Sequence, residues 1–205
     1  MEIKIANVTD CLKASEMLYS SGMELYDYLY KTKNTQAIDF IKYEFMSGKG
    51  LCGVNNVYGL YENNNIIGTS CFFDEDNYTQ ISYQTLCNVL RYYSFFDIVP
   101  MIYRLLKIEG VMRKPKKGEI YLSNFAIERN KRGKGYGSSF IKDTIRKYKN
   151  MGYTIFGLDV DLNNGNAKKL YTKFGFIEKD TKLIQIKHNN KVDKININKM
   201  ELFLL

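Results

Sequence analysis

Three glycines alternate with basic and aromatic residues in Arg132-Gly133-Lys134-Gly135-Tyr136-Gly137, and a turn of this make-up can hold an anion. Lacking Cβ, glycine lets backbone N–H groups approach an anion closely and adopts conformations that other residues avoid. A helix starting directly after the turn adds free N–H donors and the positive end of its dipole, so two phosphates can be held largely by backbone. A tight structural turn would use the same residues, and three nucleotide chemistries compete for them. The dinucleotide fingerprint Gly-x-Gly-x-x-Gly needs glycine at 138, where Ser138 stands, and it needs its glycines almost at once after the strand, where Glu128–Arg132 intervene. The phosphate loop of nucleoside-triphosphatases ends Gly-Lys-Ser/Thr, but Tyr136 follows Gly135. A methyltransferase turn usually has an acidic residue two positions before its first glycine, and Lys131 occupies that place. Basic residues there favour phosphate.

The elements around the turn follow from spacing. Glu119–Ile127 reads as a strand running into it, and Tyr136–Asn150 as a helix leaving it, with Phe140, Ile141, Ile145 and Tyr148 apolar and Gly152 as its stop. Tyr153–Leu162 reads as the next strand and Asn166–Phe174 as a short helix closed by Gly175. Upstream, the pattern predicts a strand over Glu2–Val8, then a helix capped at Thr9-Asp10. It predicts further helices near Met23–Tyr30 and Thr35–Met46, then a hairpin of Asn56–Tyr61 and Ile66–Phe73 turning at Glu62–Asn65. Residues 74–117 read as mostly helical, with Leu86, Val89, Leu90 and Tyr93 at helical spacing and Pro100 opening Met101–Ile108. The basic stretch Arg113–Gly118 returns the chain to the strand at Glu119. Strands near Thr181–Lys187 and Ile195–Leu204 end it.

The bulk properties narrow the field. At 205 residues the chain suits one domain, 1–205, and it contains no low-complexity tract or fixed-period repeat. No run approaches the ~18 apolar residues of a membrane span, and the start lacks a secretory signal, so a cytoplasmic protein is expected. Cys11, Cys52, Cys71 and Cys87 are scattered without a Cys-x-x-Cys pair and read as small buried hydrophobes. The only histidine, His188, sits in a polar stretch that reads as a solvated turn, and no metal site is expected. The net charge of +8 can attract nucleic acid, acidic lipid or a phosphate-rich cofactor without choosing among them.

Two runs carry a resemblance. Arg132-x-x-Gly135-x-Gly137 after a strand is similar to the acetyl-CoA motif Gln/Arg-x-x-Gly-x-Gly/Ala of the GNAT superfamily of N-acetyltransferases. Asn164-x-x-Ala167-x-x-Leu170-Tyr171-x-Lys173-x-Gly175-Phe176 is similar to the same family's second cofactor-side motif. The resemblance is specific over residues 119–176. It implies an α/β (α+β) fold: a mixed, mostly antiparallel sheet flanked by helices, here with a helical insertion at about 74–117. That insertion is a candidate acceptor lid, dimer contact or packing embellishment.

The resemblance further implies acetyl-CoA as cofactor and direct transfer of its acetyl group, without a metal, to a primary amine of a small molecule or peptide. By position, the backbone of Phe125, Ala126 and Ile127 would pair with the pantetheine arm as an added strand would. The amides of Arg132, Gly133, Lys134, Gly135, Tyr136, Gly137 and Ser138 would receive the pyrophosphate, with Lys134 or Lys168 near further phosphate charge. Asn164 would orient the cofactor or the carbonyl. The chemistry asks for an uncharged amine, stabilisation of an oxyanion and a proton for the leaving sulfur. Tyr171 matches the family's proton donor. Relatives often place a carboxylate base on the strand 119–127; Tyr121 stands where it is expected, which leaves Glu119 or water. Simple alternation puts Glu119, Tyr121, Ser123, Phe125 and Ile127 on one face. Two other classes stay open: a module that holds acyl-CoA as a sensor or scaffold without transfer, and an RNA-binding protein using the basic half. A homodimer is compatible with either enzyme or module.

Overall fold

A computed structural model describes residues 1–108, 114–188 and 191–204, with backbone only at 184–188 and 191–195. Its centre is a seven-stranded sheet in the order β1-β2-β3-β4-β5-β7-β6. The strands are β1 (Glu2–Ile5), β2 (Val57–Glu62), β3 (Asn65–Phe73), β4 (Glu119–Ile127), β5 (Ile155–Asp161), β6 (Ile177–His188) and β7 (Lys191–Phe203). Only β4 and β5 run parallel; every other neighbouring pair is antiparallel. The mixed, mostly antiparallel sheet expected from the resemblance is therefore present.

Helices cover both faces. On one side lie α1 (Cys11–Ser20), α2 (Met23–Tyr30) and α3 (Ala37–Ser47), whose Leu18, Ile41 and Phe45 pack with Val57, Cys71, Phe73 and Ala126. On the other lie α6 (Tyr136–Asn150) and α7 (Gly165–Lys173), where Phe140, Ile141, Tyr148 and Tyr171 close on Leu122, Phe156 and Leu158. β3 is buried along almost its whole length because both of its faces meet helices, which is why its sequence shows no polar–apolar alternation and even Thr69 and Ser70 are buried. Asn63 and Asn64, both at positive φ (49° and 62°), make the tight β2–β3 turn, a conformation that asparagine tolerates well.

The insertion is two helices, α4 (Glu75–Tyr92) and α5 (Phe95–Ile108). Asp74 caps α4 by accepting from the Asn77 amide at 3.0 Å, and Asn77 returns a bond to the Asp74 amide. Asn88 then ties α4 to α3 through the Glu44 carboxylate (3.3 Å) and the Lys49 carbonyl (2.8 Å). α5 braces α2: the Arg104 guanidinium donates to the carbonyls of Tyr28 and Lys31, and Tyr93 donates to that of Tyr30. Those carbonyls end α2 and need such donors.

Several sequence expectations shift. The first strand stops at Ile5, and a 3-10 turn, Val8–Asp10, precedes α1. Asp10 does not cap α1 with its side chain; it accepts instead from the Asn7 amide and the Tyr61 hydroxyl. Pro100 lies inside α5, whose start is set five residues earlier when the Ser94 carbonyl accepts from Asp97 and Ile98. The proline only deprives the Phe96 carbonyl of a partner, and that turn is exposed to water. Val89 and Tyr93 are buried, but Leu86 and Leu90 are exposed. α5 leaves Phe95, Phe96, Val99, Ile102, Tyr103 and Leu106 exposed opposite its buried Met101 and Ile108. His188 ends β6 instead of standing in a turn; its side chain lies outside the described residues, as does Arg113. Among the described residues no helix is long and apolar enough to cross a membrane, and no metal-ligating cluster occurs.

Candidate active site

β4 and β5 pair only from Glu119↔Ile155 to Leu122↔Leu158 and then part. Beyond that point β4 still pairs with β3, through Thr69↔Ala126 and Gly68↔Ile127, while β5 keeps β7 through Asp161↔Ile197. The backbone of Phe125, Ala126 and Ile127 thus faces a gap where the sheet would otherwise continue.

A bulge at Asn124 sharpens the parting. Its φ is +53°, and the β3 register slips between Thr69 and Cys71 to accommodate the extra residue. The slip reverses the side-chain alternation, so Tyr121 packs on the α1–α3 side while Phe125 and Ile127 pack on the α6–α7 side. The single face expected for residues 119–127 is split for this reason. Asn124 is held by side chains: the Tyr26 hydroxyl donates to its Oδ1 at 2.7 Å, and its Nδ2 donates to the sulfurs of Cys52 and Cys71 at 3.7 and 3.8 Å. Burial pushes the Tyr26 phenol and both thiols well up, so all three stay neutral partners.

The glycine turn follows β4. Gly133 (φ +75°) and Gly135 (φ +85°) adopt left-handed backbone, and a Cβ added to either would meet nothing within 4 Å. Their glycine character therefore reflects the fold of the turn and its open face. Gly137 differs, since a Cβ there would approach Leu170 of α7 at 3.3 Å; it allows α6 to start close to α7. Gly135 caps α6 without any side-chain bond, and the first helical bond runs from Ser139 to Gly135. Helix geometry leaves the amides of Tyr136, Gly137 and Ser138 without intrahelical acceptors. Arg132 and Lys134 are exposed beside them, and Arg132 Nε donates to the Ile127 carbonyl at 2.9 Å.

Glu62 fastens this turn to the hairpin by accepting from Lys131 Nζ and the Tyr136 hydroxyl. Lys131, then Tyr136, hold its carboxyl below the ordinary carboxylate range. A depressed carboxyl contributes its stabilisation above its unfolded pKa and loses it as pH falls through the folded value. Glu62→Gln is accordingly expected to raise KM for the ligand of the turn at neutral pH, with the difference from wild type closing under acid conditions. An identical KM across the pH range would show that the clasp is idle.

On the α7 side, Asn164 caps the helix by accepting from Ala167 N at 3.1 Å. Lys168 pairs with Glu178 at 2.6 Å, so any anion at the turn must share it. Tyr171 is 6 % exposed, its ring centroid 5.7 Å from that of Phe176, and burial alone raises its phenol well above the ordinary value. Glu119 stands apart. It is fully buried at the start of β4, before the strands part, and accepts from the Lys116 amide at 2.8 Å.

A cavity of about 650 Å³ opens at the parting on the α1–α3 side. Arg132 and Asn164, one from each motif, both line it, as do Tyr121, Ser123 and Asn124 of β4. Arg132 of the glycine turn and Asn164 thus meet at one opening with Tyr121–Asn124 of β4; Phe125–Ile127 and the rest of the turn lie outside its lining, Tyr171 is buried on the inner side of α7, and Glu119 sits where β4 and β5 still pair. Sequence reading passed over Tyr26, Glu44, Tyr78, Asp159 and Asp161, which also line the cavity. For Asp159 and Asp161 a signal existed: they alternate against Phe156, Leu158 and Val160, so one face of that strand had to be polar.

Comparisons with known proteins agree with this geometry. The model of the Acetyltransferase (GNAT) family matches residues 16–176. A chloroplastic GCN5-related N-acetyltransferase 4 of Arabidopsis thaliana is 40% identical over 68 residues, a match covering 33% of this chain and 23% of the plant protein. An N-acetyltransferase structure from Staphylococcus aureus Mu50 superposes with a TM-score of 0.70 at 17% identity, covering 98% of this chain and 100% of that one. The structure of yncA from Salmonella typhimurium, described as an acetyltransferase with its cofactor acetyl-CoA, gives 0.54 at 14% identity over 100% and 94% of the two chains. A parted β4–β5 pair, an open glycine turn at a helix start and a family match that spans both identify the chain as a member of the GNAT family of acetyltransferases.

Proposed function

We propose that the protein moves the acetyl group of acetyl-CoA to a primary amine. The observation that carries this reading is the single cavity lined by both motifs and opening where β4 and β5 part. The residues suit the cofactor: the parted edge offers backbone to an extended amide chain, and the open turn and α6 amides offer donors to a pyrophosphate. When bound, acetyl-CoA supplies a thioester carbon to which the amine nitrogen bonds as the C–S bond breaks, with one proton lost from nitrogen and one gained by sulfur. Phe125–Ile127 hold the arm, and Arg132–Ser138 with Lys134 hold the phosphates. Lys168 adds charge once it shares Glu178, and the free amide hydrogens of Asn164 orient the carbonyl end. Tyr171, kept protonated by burial, donates to sulfur. Glu119, fully buried where β4 and β5 still pair and bonded to the Lys116 amide, serves as a structural carboxylate in this reading, so a cleft carboxylate or water removes the amine proton.

Thermal unfolding tests the cofactor half. A ligand at 100 times its Kd stabilises by about 2.7 kcal/mol, so saturating acetyl-CoA is expected to raise Tm by several degrees. An unchanged Tm at millimolar acetyl-CoA would remove the reading. Release of free CoA thiol with simple amines tests the transfer half, and its absence alongside a raised Tm would favour an acyl-CoA sensor.

A further inference from the structure

The chain carries a net charge of +8, yet the cavity has the opposite sign. Four carboxylates line it, Glu24 and Glu44 from α2 and α3 and Asp159 and Asp161 from β5, against one cation, Arg132. Asp159 has polar neighbours of its own. Glu44 is held by the neutral Cys52 amide at 3.0 Å, Asn88 at 3.3 Å and Thr85, but burial pushes its carboxyl up, so Glu24 and Asp161 are the carboxylates that carry the inference. Asp161 accepts from the Asn163 amide at 2.7 Å, also neutral. Arg132 sits on the glycine turn, where a pyrophosphate would consume its charge. Four tyrosines, Tyr26, Tyr30, Tyr78 and Tyr121, line it beside Phe73 and several aliphatic side chains, and aromatic rings attract cations.

Resting on the acetyl-transfer reading, we infer that the acceptor is a polycationic amine: a slender molecule with at least one positive charge besides the reacting nitrogen, and no anionic group. A cleft of one sign with low-dielectric walls concentrates the opposite charge. The second cation sits among the carboxylates of α2 and β5 while the first amine reaches the parting of β4 and β5. A carboxylate-bearing amine of equal length is repelled from the same walls.

Three five-carbon probes test this: 1,5-diaminopentane, 1-aminopentane and 5-aminopentanoate. Binding to the CoA-saturated protein is measured by calorimetry, and turnover by release of CoA thiol from acetyl-CoA. The diamine is expected to bind and turn over at least about tenfold better than the aminocarboxylate, with the monoamine between, and to lose affinity as salt screens the cleft. Asp161→Asn, which keeps the oxygen that accepts from Asn163, and Glu24→Gln are both expected to narrow that ratio. Equal binding and turnover of diamine and aminocarboxylate would overturn the charge inference and leave acetyl transfer standing. Preferential diamine binding without thiol release from any probe would support the charge inference and overturn transfer. No preference and no release would overturn both.

Discussion

Tyr171→Phe is expected to slow acetyl transfer by about 10²–10⁴-fold, the contribution of a positioned general acid, while leaving acetyl-CoA binding intact. The substitution keeps the ring that packs 5.7 Å from Phe176 and removes one oxygen from a residue only 6 % exposed, so the fold has little to lose. Burial holds the phenol protonated beyond its ordinary range, and a donor that never ionises near neutral pH can serve across the working range. In wild type, activity should therefore not decline through ionisation of this group as pH rises through 8 and 9. The acetyl-CoA-induced rise in Tm should be the same in both proteins. A loss below about threefold in kcat would mean that Tyr171 only fills space, and a protein that merely senses acyl-CoA would show no functional change at all.

Phe156→Ala is expected to lower the unfolding free energy by about 3–5 kcal/mol, a large part of the ~5–15 kcal/mol that holds a typical domain together. Phe156 is fully buried in the α6–α7 core, with ring centroids 5.4 Å from Phe176, 6.1 Å from Tyr148 and 6.3 Å from Phe72. Its backbone pairs with Ile120, within the short stretch that joins β4 to β5 before they part. Truncation empties the site where strand, α6 and the segment after α7 converge, and neighbours fixed by the sheet cannot collapse into it. Denaturant midpoints with an unchanged m-value measure the effect. A shift under about 1 kcal/mol would show that the surroundings refill the space.

The contrast between residues read from sequence and residues missed has a physical basis. The glycine turn was legible because left-handed backbone at 133 and 135 selects glycine, and the helix start after it is a local matter. Asn164–Phe176 was legible for a similar reason: cap, helix face and closing Gly175 (φ +89°) all lie within one short segment. The Asn124 bulge was not, because both faces of β4 meet apolar cores and a reversed alternation there leaves no polar–apolar mark; what selects it is distant, in Tyr26, Cys52 and Cys71. Glu44 was hidden likewise. It sits on the buried side of α3 among apolar neighbours, and only the fold brings the Cys52 amide and Asn88 within reach of its oxygens. Leu86 and Leu90 had helical spacing and yet stayed exposed, since periodicity shows that a stripe exists and cannot say whether anything covers it.

The parting of β4 and β5 has a consequence for how the molecule breathes and ages. Two lines of backbone without a ladder partner lie in the middle of the sheet, where other proteins have only outer edges to guard. Helices lie over both faces of the sheet, which shields this interior edge from strands of other molecules. Amide hydrogens along it can exchange with solvent until an extended ligand covers them, so the middle of this sheet resembles a rim in its protection. Its resistance to opening then rises with the concentration of whatever fills the gap.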